Sequence, residues 1–344
     1  MKHFLIFLLL LLKFCCVARS IHRPKDPLMP EITVYWKDDN KKKYNLRYSH
    51  LEEYPYFKIF NKEDFTKYTL PNESVTPRYT LSQINVADIK QTIEHLILEI
   101  LQNKKEYTDF TILKNSDFNK SEKCGSLILK FKKYPFILKL FFENPQSLVQ
   151  PFNKGIEPCF FFYMGGGINR HMTGFTRLRN RELLEKKLKT LPQWQGKIEF
   201  PRKWFFIPSS NRWICMEGSN LGNKKYQYIE IPSIYAIIAD AIIPERVFSL
   251  YNKEDKKIAL QITNDFDLMI DANISNFMID HKTKKIVAID TEHFPSLVGI
   301  KEKKKFDSYT EWYFYLAKKC VINTMFTTKK ERRLAQKNTQ NLLS

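Results

Sequence analysis

Apolar positions along this chain recur with two different spacings, and each change of spacing marks an expected change of element. Between residues 85 and 104, Val86, Ile89, Ile93, Leu96, Ile97, Ile100 and Leu101 share one face of a 3.6-residue repeat, which predicts an amphipathic helix. Shorter runs rich in Phe, Ile and Leu at residues 110–113, 126–131 and 135–142 predict three successive strands. Residues 32–36 and 44–48 flank a polar turn and predict a hairpin, while 203–207 and 212–216 predict two strands around the turn 208–211. Helices are expected over about 178–191, 231–250, 256–262 and 307–326, the last with Trp312, Tyr313, Leu316 and Cys320 on its apolar side. This mixture places the chain in the α+β class.

Residues 271–292, DANISNFMIDHKTKKIVAIDTE, carry the densest chemistry. Two apolar runs, 277–279 and 286–289, enclose the polar segment 280–285, the pattern of a hairpin. With the turn centred on Lys282 and Thr283, Asn276 stands opposite Ile289 and beside Asp290, within a cross-strand distance of about 5 Å. Asp271 precedes Asn276 by one short loop and curls over the same end. Two carboxylates and an amide then converge, the hard oxygen donors that magnesium prefers. Upstream, Lys139 alternates into the apolar strand 135–142, where a charge is costly to bury without a partner.

The order D-x-x-x-x-N, hairpin, apolar strand ending in Asp resembles the catalytic loop and metal-binding segment of the protein-kinase-like superfamily. The resemblance covers about residues 108–325. It implies a two-lobed fold, with a small antiparallel-sheet N-lobe and a short, mostly helical C-lobe. It also implies ATP and Mg as cofactors, Asp271 as the catalytic aspartate facing an acceptor hydroxyl, and Asn276 and Asp290 as the magnesium ligands. Lys139 takes the place of the third-strand lysine that holds the nucleotide phosphates. By the same resemblance Glu182, or Glu185 one turn away, pairs with Lys139, and Glu217 opens a hinge, 217–220, where backbone groups meet adenine.

The chain departs from that pattern in several places. Met269-Ile270 stands where a protein kinase carries His-Arg, and Thr291-Glu292 follows Asp290 where Phe-Gly is usual. The acidic residue is nearer the aminoglycoside and choline phosphotransferase type, although Asn273 occupies the place of their histidine. Segment 119–126 holds one glycine, so no glycine-rich phosphate cover is expected there. The glycine-dense stretch 165–175 is either a loop bringing Arg170 and His171 to a phosphate or a plain connection. Only about fifty residues follow Glu292, too few for an activation segment and peptide platform.

Residues 1–20 read as an export signal: Lys2 and His3, an apolar run over 4–12, then Ala18-Arg19-Ser20. That run is short of the roughly 20 residues a bilayer span requires. The rest is expected to divide into an extension, 21–107, an N-lobe, 108–218, a C-lobe, 219–326, and a basic tail, 327–344. The net charge of +19 comes from lysines scattered along the chain, a basic exterior attractive to phosphorylated ligands or anionic surfaces, with no specific nucleic acid expected. Cys124, Cys159, Cys215 and Cys320 form no C-x-x-C pair, so a zinc site is not expected and any disulfide pairing is open. The function expected is an exported phosphotransferase that moves the γ-phosphoryl group of ATP to a hydroxyl on a small molecule, glycan or protein. A non-catalytic, kinase-fold binding module is the alternative. Asn273-Ile274-Ser275 would be a glycosylation acceptor in a eukaryotic lumen, which argues for a bacterial setting.

Overall fold

Strands and helices appear in the computed structural model largely where the two spacings place them. It describes residues 32–46, 65–149, 167–218, 227–295 and 304–316. The expected signal, the basic tail, Cys159, Cys320 and the loop 219–226 lie outside these residues. Strands β1 (Ile32–Trp36) and β2 (Asp39–Leu46) form the expected hairpin. The short β3 (Ser74–Val75) and β4 (Ile84–Asn85) pair just before helix α1 (Val86–Leu101). Asn85 caps that helix by accepting a hydrogen bond from the Ala87 N–H. Then come β5 (Phe110–Lys114), β6 (Phe118–Asn119), β7 (Cys124–Phe131), β8 (Phe136–Phe142), the short α2 (Pro145–Val149) and the long α3 (Gly167–Leu188). Strands β9 (Ile198–Glu199), β10 (Lys203–Phe206), β11 (Trp213–Gly218), β12 (Gln227–Pro232), β13 (Ile234–Asp240) and β14 (Pro244–Val247) follow. Helix α4 (Lys253–Asp265), the hairpin β15 (Phe277–Asp280) and β16 (Ile286–Ala288), and a helical segment at 309–316 complete the described chain.

A six-stranded antiparallel sheet, ordered β10-β13-β8-β7-β5 with β6 on the edge of β7, is the central layer. Side chains alternate across it. Leu127, Leu138, Leu140, Ala236 and Ile238 face α1 and bury its apolar stripe. Phe141, Phe205, Tyr235 and Ile237 point the other way, onto Met172, Phe175 and Leu178 of α3. Lys139 and Lys203 share this second face by the same alternation. A second antiparallel sheet, β12-β11-β1-β2, packs into the same core through Ile32, Val34, Ile214 and Ile231. A third sheet, β14-β15-β16-β9, joins α4 around Phe266, Phe277, Ala259 and Ile198. Leu184, late in α3, enters this third core, so one helix spans both. The result is a mixed α+β chain with several antiparallel sheets and few helices. Among the described residues, no helix is long and apolar enough to cross a membrane.

Three expectations need correction. Residues 227–240 are two strands rather than the start of a helix over 231–250. The run Ile234–Asp240 is buried on both faces between β8 and β10, and a continuous apolar run carries no period to separate strand from helix. Strand β11 does not return along β10 but pairs with β1 and β12 in the second sheet. Glu217 and Gly218 therefore end one arm of the β11–β12 pairing, and 219–220, the rest of the expected hinge, lie outside the described residues. The chain passes from the central sheet to the third sheet after Asp240, at residues 241–243, so β12 and β13 belong with the first part of the molecule.

The N-terminal extension is woven into both parts. Strand β1 pairs with β11, far along the chain. Arg78 donates to Asp280 at 3.0 Å and also pairs with Glu199, while the Tyr79 hydroxyl accepts from the Ile243 N–H at 3.0 Å. The strap thus reaches the connection 241–243 and the hairpin turn together.

Close contact between α3 and the central sheet depends on Gly174. A Cβ built there would lie 1.9 Å from the Tyr235 hydroxyl and 2.7 Å from the Phe141 ring. Those two rings stack at 4.5 Å and 9°, leaving little freedom to move aside. Gly174 is thus a packing glycine inside a helix, not part of a phosphate loop. His171, in the same stretch, is buried with its Nε2 2.7 Å from the Pro232 carbonyl oxygen. Gly174→Ala is expected to destabilise the fold by about 1–3 kcal/mol, the usual cost of overpacking. Chemical denaturation checks this, and an unchanged midpoint would contradict it.

Candidate functional site

The loop that carries Asp271 is shaped by its own polar side chains. Asp267 and Leu268, both with left-handed φ (53° and 62°), turn the chain out of α4. Asp271 Oδ1 then accepts the Asn273 N–H at 3.0 Å, and Asn273 Oδ1 accepts the Ser275 N–H at 3.1 Å. These two turns feed the 3₁₀ segment Ile274–Asn276 directly into β15. The hairpin register pairs Phe277 with Ala288, Met278 with Val287 and Ile279 with Ile286. The Ile289 N–H donates to the Asn276 carbonyl at 2.9 Å, so Asn276 faces Ile289, next to Asp290, as the sequence predicts. Asn276 Nδ2 lies 3.4 Å from Asp271 Oδ2.

Asp290 is the point where four elements meet. Arg177, from the middle of α3, donates from Nε to Oδ1 at 2.9 Å and from Nη2 to Oδ2 at 3.2 Å. The same Nη2 reaches Glu292 Oε2 at 2.5 Å. Lys139, from β8, brings its ammonium to 3.9 Å from Asp290 Oδ2. Lys203, from β10, donates to the Ile289 carbonyl at 2.9 Å and to Thr291 Oγ1 at 2.7 Å. Thr291 Oγ1 in turn donates to the Arg177 carbonyl at 2.7 Å, and Asn180 Nδ2 donates to the carbonyls of Met269 and Thr291. Residues 289–293 are thereby laced along α3. The Asp290 and Lys139 side chains are 32 % and 20 % exposed and Arg177 only 5 %, so the open side of the cluster is that of Asp290 and Lys139.

Burial and charge pull the titrating groups apart. Burial alone would raise the Asp290 carboxyl, but Arg177, Lys139 and Lys203 together hold it far below the usual range. Burial pushes Asp271 up to about 7, helped by the charges of Asp290 and Glu292 and opposed by the Asn273 N–H. Lys139 is lowered to about 8 and Lys203 to about 7, in each case mainly by burial, with Arg177 adding to the effect. Arg177 itself is held firmly charged, because Asp290 and Glu292 outweigh its burial.

The partner expected for Lys139 is not there. Glu182 accepts from Lys67 Nζ at 3.0 Å and from the Tyr68 hydroxyl at 2.8 Å, on the side of α3 that meets the extension. Glu185 is engaged by Arg181 at 2.6 Å, one turn back on the same helix. The inward positions of α3 are instead Arg177 and Asn180, so the charge facing Lys139 from the helix is positive. Glu217 lies in the second sheet, 3.5 Å from both Lys43 Nζ and the Tyr35 hydroxyl, away from the Asp290 cluster.

The same geometry tests the expected magnesium site. Both Asp290 oxygens accept from Arg177, and the Asn276 amide is turned toward Asp271. No group of three His, Cys, Asp or Glu arranged to hold a metal occurs among the described residues. As the side chains stand, Asn276 and Asp290 do not present a ready divalent site.

Arg177, Lys203, Glu292, Thr291 and Asn180 were not singled out as site residues from the sequence. Lys203 gave the same signal as Lys139, a lysine alternating into an apolar strand. Arg177 and Asn180 are three apart on a helix where the kinase resemblance points only to an acidic residue. Cys215, expected as a buried thiol, is one, and neither it nor Cys124 forms a disulfide among the described residues. No family model, no curated protein and no solved structure matches the chain.

Proposed function

We propose that the chain is a kinase-like phosphotransferase that binds ATP at the Asp290 cluster and passes the γ-phosphoryl group to a hydroxyl held near Asp271. The observation that carries this reading is the meeting of Lys139 with Asp290, at 3.9 Å, beside the Asp271–Asn276 loop. Support also comes from chain order. The lysine lies on the last of the strands β5, β7 and β8, and the next long helix, α3, lies over the face that the lysine shares. This is the order that a two-lobed, kinase-like arrangement asks for, with the connection between lobes at 241–243. An export signal at 1–20 and attraction to anionic surfaces belong to the same proposal.

The residues take separate tasks. Lys139 offers its ammonium to phosphate oxygens, since its carboxylate neighbour stands 3.9 Å away and no closer acceptor is seen among the described residues. Arg177 and Lys139 stand where negative charge would gather during transfer. Asp271, with its carboxyl raised to about 7, is able to take the proton of an acceptor hydroxyl near neutral pH. Asn276 and the Asn273 N–H hold that carboxyl in place. No step is assigned to magnesium. The hold of Arg177 on Asp290 favours a second reading, a nucleotide-binding module without turnover.

Two outcomes are expected of the phosphotransferase. Asp271→Asn is expected to lower phosphoryl transfer by roughly 10²- to 10⁴-fold, the usual worth of a general base, while ATP still binds. Transfer from γ-labelled ATP to water or an added alcohol, with calorimetry alongside, checks it. Wild-type protein that binds ATP without any transfer would favour the second reading, and full transfer by the mutant would remove Asp271 from the mechanism. The pH profile is the other outcome. Asp271 loses its proton as pH rises through about 7, and Lys139 loses its positive charge as pH rises through about 8. The profile of kcat/KM is therefore expected to rise near 7 and fall near 8. Lys139→Arg, whose charge persists, is expected to move the falling limb upward; an unchanged limb would assign it to another group.

A further inference from the structure

We infer that Arg177 is the resident counter-cation of this site, so that a nucleoside triphosphate binds through Arg177 and Lys139 without a divalent ion. The inference rests on the nucleotide reading above and adds to it the identity of the charge that faces the phosphates.

Three observations carry it. A guanidinium has five N–H groups in a rigid plane. In Arg177 three of them are used: Nε and Nη2 take the two Asp290 oxygens, and Nη2 also takes Glu292. Nη1 is buried and has no hydrogen-bond partner among the described residues. Two N–H groups of a fixed cation are thus left for an acceptor, and a buried donor without one is costly. Second, the guanidinium cannot easily turn away. Its carbon lies 5.7 Å from the centre of the Phe141 ring, and its own backbone carbonyl is held by Thr291. Lys139 lies over the same ring at 5.6 Å, so one aromatic side chain sets both cations.

Third, the arrangement leaves little for a divalent ion to do. To take Asp290, such an ion would have to share oxygens that already accept two hydrogen bonds from Arg177. It would then add two positive charges beside Arg177, Lys139 and Lys203, with Glu292 as the remaining partner of the guanidinium. A polyphosphate is opposite in every respect. It brings negative charge and acceptor oxygens to a place with spare donors, and it can leave the Asp290–Arg177 pair intact. Arg177 then serves both carboxylate and phosphate, as planar, multidentate guanidinium groups do.

The test is calorimetric titration of the full chain with ATP, once in EDTA and once in excess magnesium, with thermal unfolding as a check on folding. The wild type is expected to bind ATP in EDTA at least as tightly as in excess magnesium. Arg177→Met is expected to weaken binding in EDTA by about tenfold or more, equivalent to about 1.4 kcal/mol. Because a buried arginine can be needed for folding, Asp290→Asn provides a second arm. It leaves Arg177 with Glu292 and is expected to bind ATP in EDTA at least as tightly as the wild type. Binding that needs magnesium and is lost in Asp290→Asn would overturn the inference and leave the nucleotide reading standing. Binding in EDTA that a folded Arg177→Met retains in full would remove Arg177 from the role. No binding of ATP in either condition would overturn both the inference and the nucleotide reading.

Discussion

A carboxylate at the end of a buried strand is unstable unless something answers its charge, and Asp290 is answered by Arg177. The two are joined by a pair of hydrogen bonds, and Glu292 and Lys139 extend the pair into a cluster of alternating charge. Removing Asp290 would leave the buried Arg177 guanidinium with Glu292 as its remaining carboxylate partner, a costly loss for a charge out of water. The cluster therefore fixes where α3 sits against the end of β16. Backbone contacts follow from that position: Thr291 to the Arg177 carbonyl, Asn180 to the carbonyls of Met269 and Thr291, and the His293 N–H to Thr176. Lys203 completes the lacing from β10.

The rest of the fold holds that contact in place. Helix α3 buries Phe175 and Leu178 in the core of the central sheet and Leu184 in the core around α4, so it connects the two packing centres. Gly174 allows it to lie directly on Tyr235 and Phe141. The alternation of β8 and β10 then sends Lys139 and Lys203 to the same face as Phe141 and Phe205, toward α3. Two lysines reach the cluster because two neighbouring strands carry them in the same phase. The strap at Arg78 and Tyr79 ties the connection 241–243 to the hairpin turn.

Where a segment had a clear period, the sequence was legible. Strand β1 and helix α1 lie where alternation and the 3.6-residue repeat place them, and the register of the 271–292 hairpin follows from its polar turn. Residues 231–240 were misread because a strand covered on both faces is apolar throughout and has no period to report. Partner choice on α3 was misread for a different reason. Four inward or outward positions along a basic helix differ in sequence only by spacing, and which of them meets Lys139 is set by where Gly174 docks the helix. Glu182 is drawn off by Lys67 and Tyr68, residues of an extension whose packing carried no sequence signal. Glu217 was placed by resemblance alone, and the pairing of its strand β11 with β1, a contact made across most of the chain, has no local sequence signal.

In the proposed function, the open side of the Asp290 cluster receives nucleotide phosphates. The measurement that bears on it most directly is an experimental structure of the chain with a non-hydrolysable ATP analogue. Phosphate oxygens are expected within hydrogen-bond distance of Lys139 Nζ and Arg177 Nη1, with the Arg177–Asp290 pair still closed. An analogue bound elsewhere on the molecule, or one held here only after Arg177 has left Asp290 to a metal ion, would contradict it.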